Sequence, residues 1–339
     1  MQDSYPDNPV VVRFERGGEI ESVHRGAWCL VDDSGEVLEG AGAFESPFYV
    51  RSAIKSLQAL PLVETGAAER FGFRDEDLVL ALSSHSGEAC HTESVAGTLS
   101  RLDLGEADLR CGTHPPNDPA TRAALKAAGE APTQLHNNCS GKHAGFLALA
   151  RHLSVPTERY LDPESEVQVL AREALAAMTD TPASALVPGI DGCSAPTYRV
   201  PLRGVATAFA RVTHPDALGS ERRAACERMT QAVAAHPALL AGNHKRIDTD
   251  LVRASEGRLF PKVGAEAIYA VGVRGAHRAL ALKIDDGAWR AMHALVVDLL
   301  ARFELVGAAE LEALAAWRDP VLRNHAKLDV GRIVARVID

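Results

Sequence analysis

Residues 10–41 read VVVRFERGGEIESVHRGAWCLVDDSGEVLEGA, and their pattern decides the fold class. Val10–Glu15, Ile20–Arg25, Ala27–Asp32 and Glu36–Ala41 read as short strands. Between them, Arg16-Gly17-Gly18 and Asp32-Asp33-Ser34-Gly35 supply the positive φ that hairpin turns need. A second hairpin follows much later, Glu266–Val273 with Arg278–Ile284, turning at Arg274-Gly275. From about Ser52 to about Pro237 apolar residues recur at three- and four-residue spacing, which marks helices; Val167–Met178 and Arg222–Ala235 are examples. A last helix is expected over Asp286–Phe303. Strands at both ends with helices between them imply one antiparallel sheet built from distant parts of the chain. Helices cover it, and a helical insertion occupies about residues 100–240. The class is α+β, an α/β sandwich, in a single unit spanning residues 1–339.

The composition suits such a core: 46% hydrophobic and 24% charged residues over 339 positions. A formal charge of −9 with scattered basic residues argues against nucleic acid as a partner. The most hydrophobic helical stretch, Met292–Leu305, is broken by Asp298, Arg302 and Glu304, so no membrane span is expected. Met1–Val12 is polar, holds Pro6 and Pro9, and lacks the apolar middle of a signal peptide. The six cysteines are spread too widely for a disulfide framework and read as thiols in a reducing cytoplasm.

Three segments carry chemistry of one kind. Arg51-Ser52-Ala53-Ile54-Lys55 contains S-x-x-K at the start of a stretch with helical spacing, where residues three apart share a face. A serine hydroxyl needs a neighbouring base, and a lysine can serve if burial or nearby cations such as Arg51 lower its pKa. Alone the motif is common, and a helix-start serine with a solvated lysine is then the preferred reading. Leu78-Val79-Leu80, strand-like, leads into the hydroxyl-rich loop Ser83-Ser84-His85-Ser86-Gly87-Glu88, and Lys262-Val263-Gly264 stands just before the second hairpin. S-x-x-K, a later polar loop with a second serine, and Lys-x-Gly by an edge strand occur in this order in active-serine penicillin-recognising enzymes. Ser-His-Ser and Lys-Val-Gly depart from the β-lactamase forms and argue against that activity.

The cysteines pose a separate question. His136-Asn137-Asn138-Cys139-Ser140-Gly141-Lys142-His143 precedes an apolar helix, and Ile190-Asp191-Gly192-Cys193-Ser194 forms a similar elbow. Two thiolates with a third nitrogen donor suit zinc, for which His143 is the conventional ligand and Lys142 an unusual one. Cys139 and His143 suit a nucleophile and base equally well, and both cysteines suit simple core packing.

Together these segments resemble the Rhizobium-type L-asparaginase family over nearly the whole chain. The resemblance includes Glu21-Ser22-Val23-His24-Arg25-Gly26, Arg51-Ser52-Ala53-Ile54-Lys55 and Ser84-His85-Ser86-Gly87-Glu88. It continues through Cys111-Gly112-Thr113-His114-Pro115, Asn138-Cys139-Ser140-Gly141-Lys142-His143, Asp191-Gly192-Cys193-Ser194-Ala195-Pro196-Thr197 and Lys262-Val263-Gly264-Ala265-Glu266. It implies a fold similar to serine β-lactamases and glutaminases, a homodimer, and hydrolysis of L-asparagine to L-aspartate and ammonia. It implies Ser–Lys pairs at Ser52 with Lys55 and Ser84 with Lys262. It also implies substrate contacts from Arg51, Asp191, Asn138 and His143, and a Zn2+ site of Cys139, Lys142 and Cys193, which displaces His143 as ligand. Two positions depart from the family pattern: Ala267, where glycine is usual, and Ser56, where proline is common. A metal-activated-water amidase and a catalytically silent amino-acid-binding protein stand as the alternative functions.

Overall fold

The computed structural model describes residues 5–335. Among them, eleven strands form two antiparallel sheets. The main sheet uses β1 (Val10–Arg16), β2 (Glu19–Asp32), β3 (Val37–Ala41), β7 (Leu259–Gly264), β8 (Ile268–Val273), β9 (Arg278–Ile284), β10 (Val321–Arg323) and β11 (Asp329–Ala335). Its order is β10-β11-β1-β2-β9-β8-β7, with β3 paired to β2. The smaller sheet lies within the helical part and pairs β4 (Pro47–Tyr49), β6 (Pro196–Pro201) and β5 (Val187–Ile190) in that order.

Alternation along β2 sorts side chains between two cores, because successive residues of a strand point to opposite faces. Ala27, Cys29 and Val31 join the cluster under the helix Leu202–Thr213, whereas Trp28 and Leu30 join the cluster under the helix Trp289–Arg302. β8 and β9 divide likewise: Ala270, Ala279 and Ala281 lie on the first face, and Tyr269, Val271, Leu280 and Leu282 on the second. Helices on both faces leave no polar side for these strands, which is why their sequences are almost continuously apolar. Small residues on the first face let Leu202–Thr213 approach closely, and each larger side chain buried on the second contributes roughly 1.5–3 kcal/mol.

The architecture is the expected one, an antiparallel sheet flanked by helices, but several elements differ. Ile20–Arg25 and Ala27–Asp32 are one strand, β2, whose first half pairs with β1 and whose second half pairs with β3 and β9. Leu78-Val79-Leu80 is no strand; it lies in the helix Asp75–Leu82, apolar on all sides because it is buried centrally. Lys262 and Val263 stand just before the hairpin, as expected, but themselves lie within an edge strand, β7, hidden from sequence reading by Pro261 and Lys262 in its middle. The helix after Asp286 spans Trp289–Arg302, and beyond it β11 returns to pair with β1, a closure that short-range patterns do not reveal.

The β7–β8 turn explains one departure from the family pattern. Ala267 is buried with φ of 54°, and Glu266 beside it has φ of 61°. Left-handed backbone costs a non-glycine residue roughly 1–2 kcal/mol, so glycine is the natural occupant. Ala267→Gly is expected to raise stability by about 1 kcal/mol, read as a higher urea midpoint with unchanged slope.

Candidate active site

Ser52 sits in a 3₁₀ turn, Arg51–Ile54, that runs directly into the helix Lys55–Glu64. Arg51 enters this turn with φ of 47°, a strained conformation of the kind that concentrates at functional sites. Ser52 is partly exposed, and among the described residues its hydroxyl has no hydrogen-bond partner. Gly264, closing β7, touches the turn: a Cβ there would lie 2.9 Å from the Val50 carbonyl oxygen and 3.1 Å from the Ala53 nitrogen. Glycine thus lets the sheet edge reach the turn, and Lys262, two residues earlier, arrives beside Lys55.

Both lysines are buried, at 1% and 0% exposure, and both meet at Ser84. Lys55 Nζ donates to the Ser83 carbonyl at 2.6 Å, to Ser84 Oγ at 3.1 Å and to the Asn138 carbonyl at 3.2 Å. Lys262 Nζ donates to Ser84 Oγ at 2.9 Å and to the Val263 carbonyl at 3.0 Å. Of the two expected pairs, Ser84 with Lys262 is therefore a direct contact. The Lys55 amide donates to the Ser52 carbonyl, but among the described residues no hydrogen bond joins the two side chains. The i, i+3 geometry requires both residues in one helix, whereas Ser52 precedes it in a turn and Lys55 satisfies its buried ammonium with three interior acceptors. Burial pushes Lys262 down to about 7; Asp248 opposes this, while Lys55 and Arg246 add to it. Near neutral pH the Lys262 amine can therefore take a proton as well as donate one.

Arg51 and Asp191, expected to contact substrate, are joined: Nε and Nη2 of Arg51 lie 2.8 and 2.7 Å from Asp191 Oδ1. Two residues beyond Asp191 comes Cys193, which belongs to a second buried group. Gly141 seats that group, because a Cβ there would lie 2.3 Å from the Leu80 carbonyl oxygen. The start of the helix Ser140–Leu153 thereby packs against the helix Asp75–Leu82 that ends just before Ser83 and Ser84. Lys142 Nζ lies 3.1 Å from Cys193 Sγ, and Cys139 Sγ donates to Asn138 Oδ1 at 3.0 Å. Cys193 is held far below the ordinary thiol range by the Cys139 thiol and, against burial, by the Lys142 ammonium. Burial works against the charge on Lys142, but the sulfurs of Cys193 and Cys139 outweigh it and push its pKa up. Asn138 links the two groups, its carbonyl on Lys55 and its side chain on Cys139.

Two sulfurs and an amine converging in a buried pocket fit zinc in donor chemistry. His143 is oriented differently. The Tyr160 oxygen accepts from the Arg110 N–H at 2.9 Å and lies 2.7 Å from His143 Nδ1. Burial raises the Tyr160 pKa and pushes His143 down to about 4. The imidazole is thus neutral near pH 7, engaged with Tyr160 through Nδ1, while Nε2 is buried without a hydrogen-bond partner among the described residues. His143 is fully buried and belongs with Cys193, not with the Ser84 group.

The sequence reading missed two supporting residues. Arg246 donates to the Ser84 carbonyl at 2.7 Å and to Ser86 Oγ at 2.9 Å, fixing the serine loop. Asp248, 1% exposed, accepts from Tyr269 Oη at 2.6 Å and from the Val263 amide at 3.3 Å. Only the pairing of β7 with β8 brings these groups together, and no local pattern announces it.

The family model for L-asparaginase II matches residues 12–335. No curated protein matches the chain. Among solved structures it is similar to Mglu in its glutamate form, with 15% identity, 83% of this chain and 61% of that chain covered, and a TM-score of 0.43. It is also similar to Mglu in its tris and glutamate form, with 14% identity, 88% and 63% covered, and a TM-score of 0.38. The chain thus spans about three-fifths of the length of each.

Proposed function

This chain belongs to the L-asparaginase II family, and we propose that it hydrolyses L-asparagine to L-aspartate and ammonia through Ser52. The observation that carries this reading is the Ser84 hydroxyl shared by two buried lysines beside an unpartnered, partly exposed serine. A nucleophile needs both access and a base. Ser84, at 4% exposure, has the bases but little access; Ser52 has access and stands one turn from Lys55.

In the proposed reaction Arg51 takes the substrate carboxylate and Asp191 its ammonium, so the bound amino acid replaces their mutual ion pair. Ser52 Oγ attacks the side-chain amide carbon as its proton passes to Lys55, which in the same step releases one of its own through the Ser84 hydroxyl onto the neutral amine of Lys262. The C–N bond breaks, ammonia leaves with that proton, and an aspartyl ester remains on Ser52. Water then cleaves the ester, giving L-aspartate and restoring the hydroxyl. Arg246 and Asp248 hold the serine loop and the β7 edge in register throughout. Cys139, Lys142 and Cys193 would hold Zn2+, which when bound supplies a Lewis-acid anchor for orienting a polar substrate. The homodimer and the cytoplasmic setting belong to the same proposal.

The test is ammonia release from L-asparagine and from L-glutamine, each with and without added zinc. Faster release from L-asparagine is expected. Turnover that vanishes on chelation yet survives Ser52→Ala would move the chemistry to the cysteine group, and binding of L-asparagine without ammonia would end the enzymatic reading.

A further inference from the structure

The end of the main sheet opposite Gly264 carries a second cluster of ligand-type side chains that the proposed reaction does not use. Asp33 comes from the β2–β3 turn, His277 from the β8–β9 turn, and His214 from the C-terminal end of the helix Leu202–Thr213. One ring nitrogen of each histidine and one carboxylate oxygen of Asp33 lie within 4.8 Å of one another. His277 Nδ1 is 3.0 Å from Asp33 Oδ2, and the two imidazole centroids are 3.3 Å apart. His214 Nδ1 is buried without a hydrogen-bond partner among the described residues, while its Nε2 stands 3.6 Å from Asp216 Oδ2.

We propose that Asp33, His214 and His277 form a binding site for a divalent transition-metal ion of the zinc type. Tetrahedral ligands at about 2.0–2.1 Å from zinc lie roughly 3.3 Å from one another. The His277–Asp33 separation is already near this, and the exposed His277 ring must swing away from its 3.3 Å approach to the His214 ring for both to face one ion. Three further features favour a cation here. The last carbonyls of Leu202–Thr213 present the negative end of the helix dipole. Asp216 stands where a carboxylate can orient the other nitrogen of a ligating histidine. A surface cavity of about 510 Å³, lined by His214, Asp216, Glu256, Arg258 and Arg274 among others, brings solvent to the His214 side of the cluster. The ion ties two hairpin turns to a helix end, so its role is structural. It stands apart from the cysteine group, since β8 and β9 run the length of the sheet between the two.

Equilibrium dialysis against zinc, followed by metal analysis, tests the site. His277→Ala and Asp33→Ala are each expected to bind one equivalent fewer than the unaltered protein and to lose the part of the zinc-dependent rise in Tm due to that equivalent. The double variant Cys139→Ser/Cys193→Ser keeps that equivalent. His277 is exposed, so its removal leaves folding intact, and far-ultraviolet circular dichroism verifies this. Zinc content equal to that of the unaltered protein in both His277→Ala and Asp33→Ala would overturn the proposal.

Discussion

Ser52→Ala is expected to lower kcat for ammonia release from L-asparagine by on the order of 10⁶-fold, the scale on which removal of a nucleophile acts. The same substitution should change stability by no more than about 0.5 kcal/mol, because the hydroxyl has no partner among the described residues. That combination separates Ser52 from Ser84. The Ser84 hydroxyl accepts from two buried amines, and its removal leaves them short of an acceptor at a cost of about 1–3 kcal/mol. Ser84→Ala should therefore lose both activity and stability. Measured side by side, kcat and urea midpoints of the two variants distinguish a nucleophile from a relay. Near-normal turnover in Ser52→Ala would remove Ser52 from the chemistry.

Lys262→Met is expected to lower kcat by on the order of 10³-fold and yet to make the protein more stable at pH 7. Burial holds the Lys262 amine at about 7, whereas in the unfolded chain it titrates near 10.4. Between these values the unfolded chain binds more protons than the native one, so stability rises with pH across that window. Below pH 7 the amine is charged in both states and the burial penalty is complete. Methionine removes that penalty, so the gain in Tm should be largest below pH 7 and should fade toward pH 10. The same titration predicts that kcat/KM of the unaltered enzyme rises as pH passes through about 7, when Lys262 becomes the neutral acceptor. A pH-independent Tm difference between the two proteins, or a rate limb far from 7, would contradict this assignment.

Local patterns reached some parts of the molecule and not others, for physical reasons. The β8–β9 hairpin and the helices over Val167–Met178 and Arg222–Ala235 were legible because their periodicity and turn residues are local. β7 was not, since its place depends on pairing with β8 and on Gly264 reaching the Ser52 turn. Motifs located Ser52, Lys55, Ser84 and Lys262, but only the fold turns Lys55 away from its chain neighbour toward Ser84. His143 shows the same limit. Spacing alone makes it a conventional ligand, and only the fold engages its Nδ1 with the Tyr160 hydroxyl, seventeen residues on. Arg246 and Asp248 carry no motif at all, because they act by supporting the loop and strand edge that hold the catalytic groups.

The central claim, hydrolysis through an ester on the enzyme, is tested most directly by partition with hydroxylamine. L-Asparagine and the β-methyl ester of L-aspartate would pass through one aspartyl-enzyme. At a fixed hydroxylamine concentration, the ratio of aspartate β-hydroxamate to L-aspartate should therefore be the same from both substrates. A ratio that depends on the leaving group, or turnover with no hydroxamate formed, would mean that water attacks the substrate directly.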